Sequence, residues 1–205
     1  MLDLQAPDAD LPWRSADLSD PAVVAAATAD LAAMTGMPDV LVCSAGINAS
    51  HPVAGHPDEL WRKVLDVNLS GTFYVIRACL PIMIERGWGR VVTLSSGGAV
   101  RVLADRAAYA ASKAGVIALT KSVAQEGAKH GVTANVIAPG LTDTPMASAV
   151  YGDGTRGSVS DSRVANPMGV LLEPIDIAHG IDYLCTPAAR YVTGQVLHIN
   201  GGGVM

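Results

Sequence analysis

The sequence predicts an α/β protein with a doubly wound parallel sheet. Short apolar runs rich in β-branched residues alternate along the 205-residue chain with longer stretches of helical pattern. These short runs are continuously apolar, which is typical of strands that helices cover on both faces. Small and hydroxyl-bearing residues follow three of the runs, at the edge where parallel sheets bind their ligands.

Four strands and four helices are predicted, and the two types alternate. The strands have four to six residues and are bounded by Gly, Pro or Asn; they are Val40–Cys43, Arg90–Leu94, Thr133–Ile137 and Gln195–Ile199. The helices are Pro21–Met34, Pro57–Ile84, Ala107–Lys129 and Pro174–Leu184. We expect Asp20 or Ser19 to cap the first helix and Pro81 to kink or end the second. The polar segment Met146–Met168, rich in Gly and Ser, is predicted to form a lid over the binding edge.

Composition excludes several classes of function. Half of the residues are hydrophobic and the formal net charge is −5, which disfavours binding to nucleic acid or to an anionic membrane. We find no uninterrupted apolar run of membrane-spanning length and no signal peptide. The three cysteines are far apart and the histidines lack ligand spacing, so we expect a cytoplasmic protein with no metal site.

Tyr109 and Lys113 form the first candidate catalytic pair. Their spacing of four residues in a strongly helical context places both on one helix face. A nearby ammonium lowers the pKa of a phenol, ordinarily about 10, so such a tyrosine could transfer a proton near neutral pH. On its own the pair is a weak signal, and a solvated helix face is its more frequent explanation.

Four further features accompany this pair in a fixed order. Ser96 lies thirteen positions before Tyr109, Asn68 stands in Asp-Val-Asn-Leu-Ser, and Ser44-Ala45-Gly46 and Pro139-Gly140 each follow a strand, the latter with Thr144 nearby. The set resembles the short-chain dehydrogenase/reductase family from about Asp17 to Gly202. The resemblance implies a Rossmann-like single domain over residues 1–205. It also implies an NAD(P)-dependent oxidoreductase that acts on a secondary alcohol or ketone.

The resemblance also assigns roles to individual residues. Tyr109 would be the general acid/base, Lys113 would lower its pKa and hold the nicotinamide ribose, and Ser96 rather than Ser95 would bind the substrate oxygen. Asn68 would help to hold a water that links Lys113 to solvent. The cofactor would contact Asp3, Asp17, Leu18, Cys43, Ala45, Gly46, Tyr109, Lys113, Pro139, Gly140, Thr142 and Thr144. Asp3, as the acid that grips the ribose 2′-hydroxyl, favours NAD over NADP. Asp17 could instead only cap the following helix.

The sequence departs from the family pattern in several places. Cys43-Ser44 stands where the family usually has Asn before Ala-Gly, and Asn200 stands where it has Asp. No Thr-Gly-x-x-x-Gly-x-Gly loop is present, so the first βαβ unit is expected to be incomplete, through a late start site or a truncation. We expect that something must then fill the place of the missing central strand.

Two alternative functions stay open. One is a non-catalytic, truncated subunit, and the other is a 3-oxoacyl thioester reductase that uses NADPH. By resemblance, we expect a homodimer or homotetramer formed through Pro57–Ile84, Ala107–Lys129 and Gln195–Ile199.

Overall fold

A computed structural model describes residues 1–6, 10–151 and 166–204 of the chain. In it, β1 (Leu2–Asp3), β2 (Arg14–Ser15) and α1 (Pro21–Thr35) precede the main sheet. The main sheet and its helices follow as β3 (Val40–Cys43), α2 (Asp58–Leu65), α3 (Gly71–Arg86), β4 (Gly89–Leu94), α4 (Ala107–Gly127), β5 (Val132–Pro139), α5 (Pro145–Tyr151), α6 (Pro174–Cys185) and β6 (Val196–Ile199). The predicted α/β class is confirmed.

The main sheet is parallel and has the order β3-β4-β5-β6. A larger core on one face joins α1, α3 and α4 to the sheet through Leu41, Val91 and Val132. A smaller core on the other face packs α6 against Val92 and Ile137. The four predicted strands therefore lie where the apolar runs placed them, and helices cover both faces.

The predicted helix Pro57–Ile84 is built from three pieces. A π-helical segment, Asp66–Ser70, separates α2 from α3, and α3 continues to Arg86. Pro81 lies inside α3 and does not end it, so that part of the expectation is wrong. The stretch Asp58–Arg86 is long and apolar enough to cross a membrane by length and composition. Val75, Ile76, Cys79 and Met83 are nevertheless buried in the larger core, as in a core helix.

The two short N-terminal strands form a sheet of their own. β1 and β2 pair in parallel, and both β1 and the outer edge of β3 line a cavity of about 1130 Å³. On the α6 face of the sheet, Val40 and Val42 are 38% and 41% exposed. Among the described residues, β3 pairs only with β4. The expected gap beside β3 is therefore present in the structure.

The start of α1 is determined by its N-cap residue. The Asp20 carboxylate accepts hydrogen bonds from Ala22 N at 2.8 Å and Val23 N at 3.2 Å. Asp20, one of the two residues predicted for this role, is therefore the N-cap.

The start of the predicted lid belongs to α5. Residues 152–165 lie outside the described residues, so the lid remains a prediction.

Candidate active site

A cavity of about 670 Å³ opens at the carboxyl ends of β4 and β5. It is lined by all three of Ser96, Tyr109 and Lys113, together with residues of the loop that follows β5. The last residue of β5, Pro139, also lines it, and the loop contributes Gly140, Thr142 and Thr144. Parallel strands direct the residues after them to one rim, so chain segments far apart in sequence meet here.

Ser96 and Tyr109 meet around a glycine. A Cβ placed on Gly98 would lie 3.3 Å from the Ser96 Oγ atom and 3.7 Å from the Tyr109 Cε1 atom. The Gly98 amide donates to the Ser96 Oγ at 3.0 Å, which orients the hydroxyl. The neighbouring Ser95 hydroxyl is buried and donates to the Lys113 carbonyl at 2.8 Å. Ser95 thus fastens β4 to α4, whereas Ser96 stands beside the phenol.

Lys113 is a buried cation beside Tyr109. Its side chain is 5% exposed, and its Nζ donates to the Leu94 carbonyl at 2.9 Å and lies 6.0 Å from the Tyr109 ring centroid. Burial lowers the pKa of Lys113 to about 8. The fold therefore keeps the Lys113 ammonium buried, although its desolvation is costly. Its positive potential lies where it favours the ionised form of the Tyr109 phenol. That is the arrangement expected of a catalytic site rather than of a solvated helix face.

Asn68 is held at the centre of the π-helical segment. It is fully buried, its Oδ1 accepts from Ile47 N at 2.7 Å, and its Nδ2 donates to Ile47 O at 2.9 Å and to the Ser112 Oγ at 3.0 Å. π-Helical turns are frequent at functional sites because they redirect one side chain. Asn68 thereby ties the loop after β3 to α4, next to Lys113.

Asn68→Ala is expected to lower the free energy of unfolding by about 2–4 kcal/mol, because it leaves the Ile47 amide and carbonyl without their buried partner. Urea denaturation followed by circular dichroism measures this. Asn48→Ala, on the same loop but only part-buried, is the control and should cost clearly less. An equal loss of unfolding free energy in the two variants would show that Asn68 contributes no more than an ordinary loop contact.

A glycine also lies against the amine of Lys113. A Cβ on Gly46 would lie 3.2 Å from both the Lys113 Nζ and the Asn68 Oδ1 atoms. At Gly140, a Cβ would lie 2.8 Å from the Cα of Asn200. Asn200 itself accepts from Gly202 N and donates to the Val204 carbonyl, so it shapes the chain end beside the cavity.

The remaining predicted cofactor residues line the cavity beside β3. These are Asp3, Asp17, Leu18, Cys43 and Ala45. Hydrogen bonds from the Ser19 hydroxyl and amide lower the pKa of Asp17, whose carboxylate is exposed. The alternative role of Asp17 as the cap of α1 is wrong, because Asp20 caps that helix.

The two cavities share Ser44 and Gly46. The predicted site residues thus divide into two groups that meet at the loop after β3. One group contains Ser96, Tyr109 and Lys113, and the other contains the exposed carboxylates of Asp3 and Asp17. An extended dinucleotide fits this division, because the two cavities meet at Ser44 and Gly46. Sequence reasoning missed Asn48, Arg101 and Arg106, which also line the smaller cavity. The position of Arg106 three residues before Tyr109 was the available signal.

Comparison with known proteins agrees with this site. A family model described as enoyl-(acyl carrier protein) reductase matches residues 4–203. The chain belongs to the short-chain dehydrogenase/reductase family, a class of NAD(P)-dependent oxidoreductases that act on ketones and alcohols. The resemblance drawn from the sequence is thereby confirmed.

Three relatives show the range of this class. Nodulation protein G of Azospirillum brasilense is 41% identical over 91% of this chain and 74% of its own length. Acetoacetyl-CoA reductase of an Acinetobacter species is 37% identical over 95% of this chain and 77% of its own. 2-Dehydro-3-deoxy-L-rhamnonate dehydrogenase (NAD(+)) of a Sphingomonas species is 37% identical over 91% and 74%.

Proposed function

We infer that the protein transfers a hydride between NAD and a secondary alcohol or ketone at the smaller cavity. The observation that carries this proposal is the meeting of Ser96, Tyr109 and Lys113 in one cavity that joins a second at Ser44 and Gly46. Nothing in folding alone requires a buried lysine beside a tyrosine and an oriented serine hydroxyl.

Each residue has a definite task in this proposal. When bound, the nicotinamide supplies or accepts the hydride. Tyr109 donates a proton to the carbonyl oxygen in reduction and removes it in oxidation. The Ser96 hydroxyl holds that oxygen where negative charge develops, and Lys113 favours the ionised phenol. Asn68 holds the loop that carries Gly46 against Lys113.

Calorimetric titration with NADH and with NADPH tests the cofactor part of the proposal. We expect tighter binding of NADH, because Asp3 lines the larger cavity with a carboxylate that would repel a 2′-phosphate. Asp3→Asn is expected to reduce the ratio of NADH affinity to NADPH affinity several-fold. Asp10→Asn makes the same change of charge on the same segment at an exposed residue and should leave the ratio as it is.

Equal affinity for both cofactors in the unaltered protein would contradict the preference for NAD. Binding of neither cofactor would favour the second candidate, a non-catalytic subunit. The open space beside β3 is the observation that favours this candidate, because within the described part of the chain no strand pairs with the outer edge of β3, where the cofactor's adenosine half would have to be held.

A 3-oxoacyl thioester is an alternative substrate, supported by the similarity of the chain to acetoacetyl-CoA reductase. Turnover of acetoacetyl-CoA with NADPH in preference to simple ketones with NADH would establish it. Exposed Trp61 on α2 and Phe73 on α3 support a homodimer or homotetramer that buries these helices between copies, as the family resemblance implies.

A further inference from the structure

The smaller cavity carries positive charge. Arg101, Arg106 and Lys113 line it, and none of its described lining residues is Asp or Glu. A ketone needs only the hydroxyls of Ser96 and Tyr109, so two arginines beyond Lys113 exceed what the proposed reaction requires. Cations around a part-buried cavity favour an anionic ligand.

Arg106 is the better placed of the two arginines. It is half-buried at the N-terminal end of α4, three residues before Tyr109, so its side chain starts about one helical turn from the phenol. Its Nη1 donates to the Asn48 Oδ1 at 2.7 Å. Asn48 follows Ile47, whose main chain the buried Asn68 holds at both its amide and its carbonyl. The guanidinium is therefore positioned by the same network that supports the catalytic lysine.

We propose that Arg106 binds a carboxylate of the substrate, so that the enzyme acts on a short oxo acid or hydroxy acid. The proposal rests on the proposed function of this cavity and names its substrate class. Arg101, which is exposed at the cavity mouth, adds to the positive potential. A guanidinium matches a carboxylate through paired N–H donors.

The separation of only three residues between Arg106 and Tyr109 favours a carboxylate as the bound anion over the phosphates of a coenzyme A thioester. The Arg106 and Tyr109 side chains leave α4 about one helical turn apart, so a compact substrate with its anion near its carbonyl suits both. In a coenzyme A thioester the long pantetheine arm separates the carbonyl from the nearest phosphate. In a 3-oxo acid, one methylene separates the carboxylate from the carbonyl.

The test compares 3-oxobutanoate with its uncharged methyl ester and with acetoacetyl-CoA. Turnover with NADH should favour the acid over the ester, and Arg106→Gln should reduce kcat/KM for the acid at least tenfold more than for the ester. Arg106→Lys, which keeps the charge, should recover part of the loss. Arg190→Gln, at an exposed arginine outside the cavity, is the matched control and should leave the preference in place.

Ligand-observed NMR of 3-oxobutanoate with the cofactor-free protein separates this proposal from the proposed function. Binding that Arg106→Gln abolishes supports the anion site even if no turnover is found. Equal losses for acid and ester would overturn the proposal and make Arg106 a structural tether of the loop at Asn48. Preference for the ester or for acetoacetyl-CoA would also overturn it.

Discussion

Tyr109→Phe is expected to reduce turnover by roughly 10²–10⁴-fold, because the ring remains but the proton it would transfer is lost. Cofactor affinity should be largely kept, since the phenyl group fills the same space beside Gly98 and Lys113. Initial rates of NADH oxidation with a ketone, together with NADH titration by fluorescence, measure the two quantities separately.

Tyr191→Phe is the matched control for this result. Tyr191 is 86% exposed and lies outside the cavity, so the same loss of a hydroxyl should leave turnover intact. Full activity of the Tyr109→Phe variant would show that Tyr109 does not transfer the proton in the reaction. Loss of both turnover and cofactor affinity would instead point to a distorted cavity.

Lys113→Met is expected to make the protein more stable while it removes activity. Near pH 7 the folded state carries a buried ammonium, and an apolar side chain of similar length avoids its desolvation. We expect a gain of about 1–3 kcal/mol in the free energy of unfolding, reduced by the loss of the hydrogen bond to the Leu94 carbonyl. Turnover should fall by at least about 100-fold.

The pH dependence of stability provides a second signature of Lys113. Burial lowers its pKa from 10.5 to about 8, so between these pH values the unfolded chain binds more protons than the folded protein does. Lys113 should therefore make a contribution to the free energy of unfolding that rises with pH across this window, with the full cost of the buried charge below it. The buried thiols of Cys43 and Cys79, whose pKa values burial raises, act in the opposite direction above about pH 9. In Lys113→Met this rise should be missing, whereas Lys121→Met, at an exposed position on α4, should retain it. Identical pH profiles for all three proteins would contradict a buried, titrating Lys113.

Strand positions were predictable from the sequence because they depend on local patterns. Continuous apolar runs bounded by turn residues located β3 to β6 within a few residues, and the cap at Asp20 followed from its side chain. The π-helical turn at Asn68 left no such trace, because the same residues continue the helical pattern. The contacts of the Asn68 side chain, with Ile47 and Ser112, are tertiary.

The candidate site was predictable where spacing within one helix determines geometry. Tyr109 and Lys113 lie together because of their four-residue separation, and Ser96 reaches them because β4 ends at the same rim. The approach of Asn48 to Arg106 was not predictable. It joins two loops that are 58 residues apart in sequence, and neither loop has a periodic pattern.

The open side of β3 has a consequence for how this polypeptide behaves in solution. Among the described residues Val40 and Val42 remain 38% and 41% exposed, and β3 pairs with no strand on its outer edge. Bare strand edges act as templates on which other chains assemble, and natural proteins usually block them with charge, proline or a covering helix. The unpaired edge of β3 is therefore expected to favour association between copies at high concentration, which the net charge of −5 opposes.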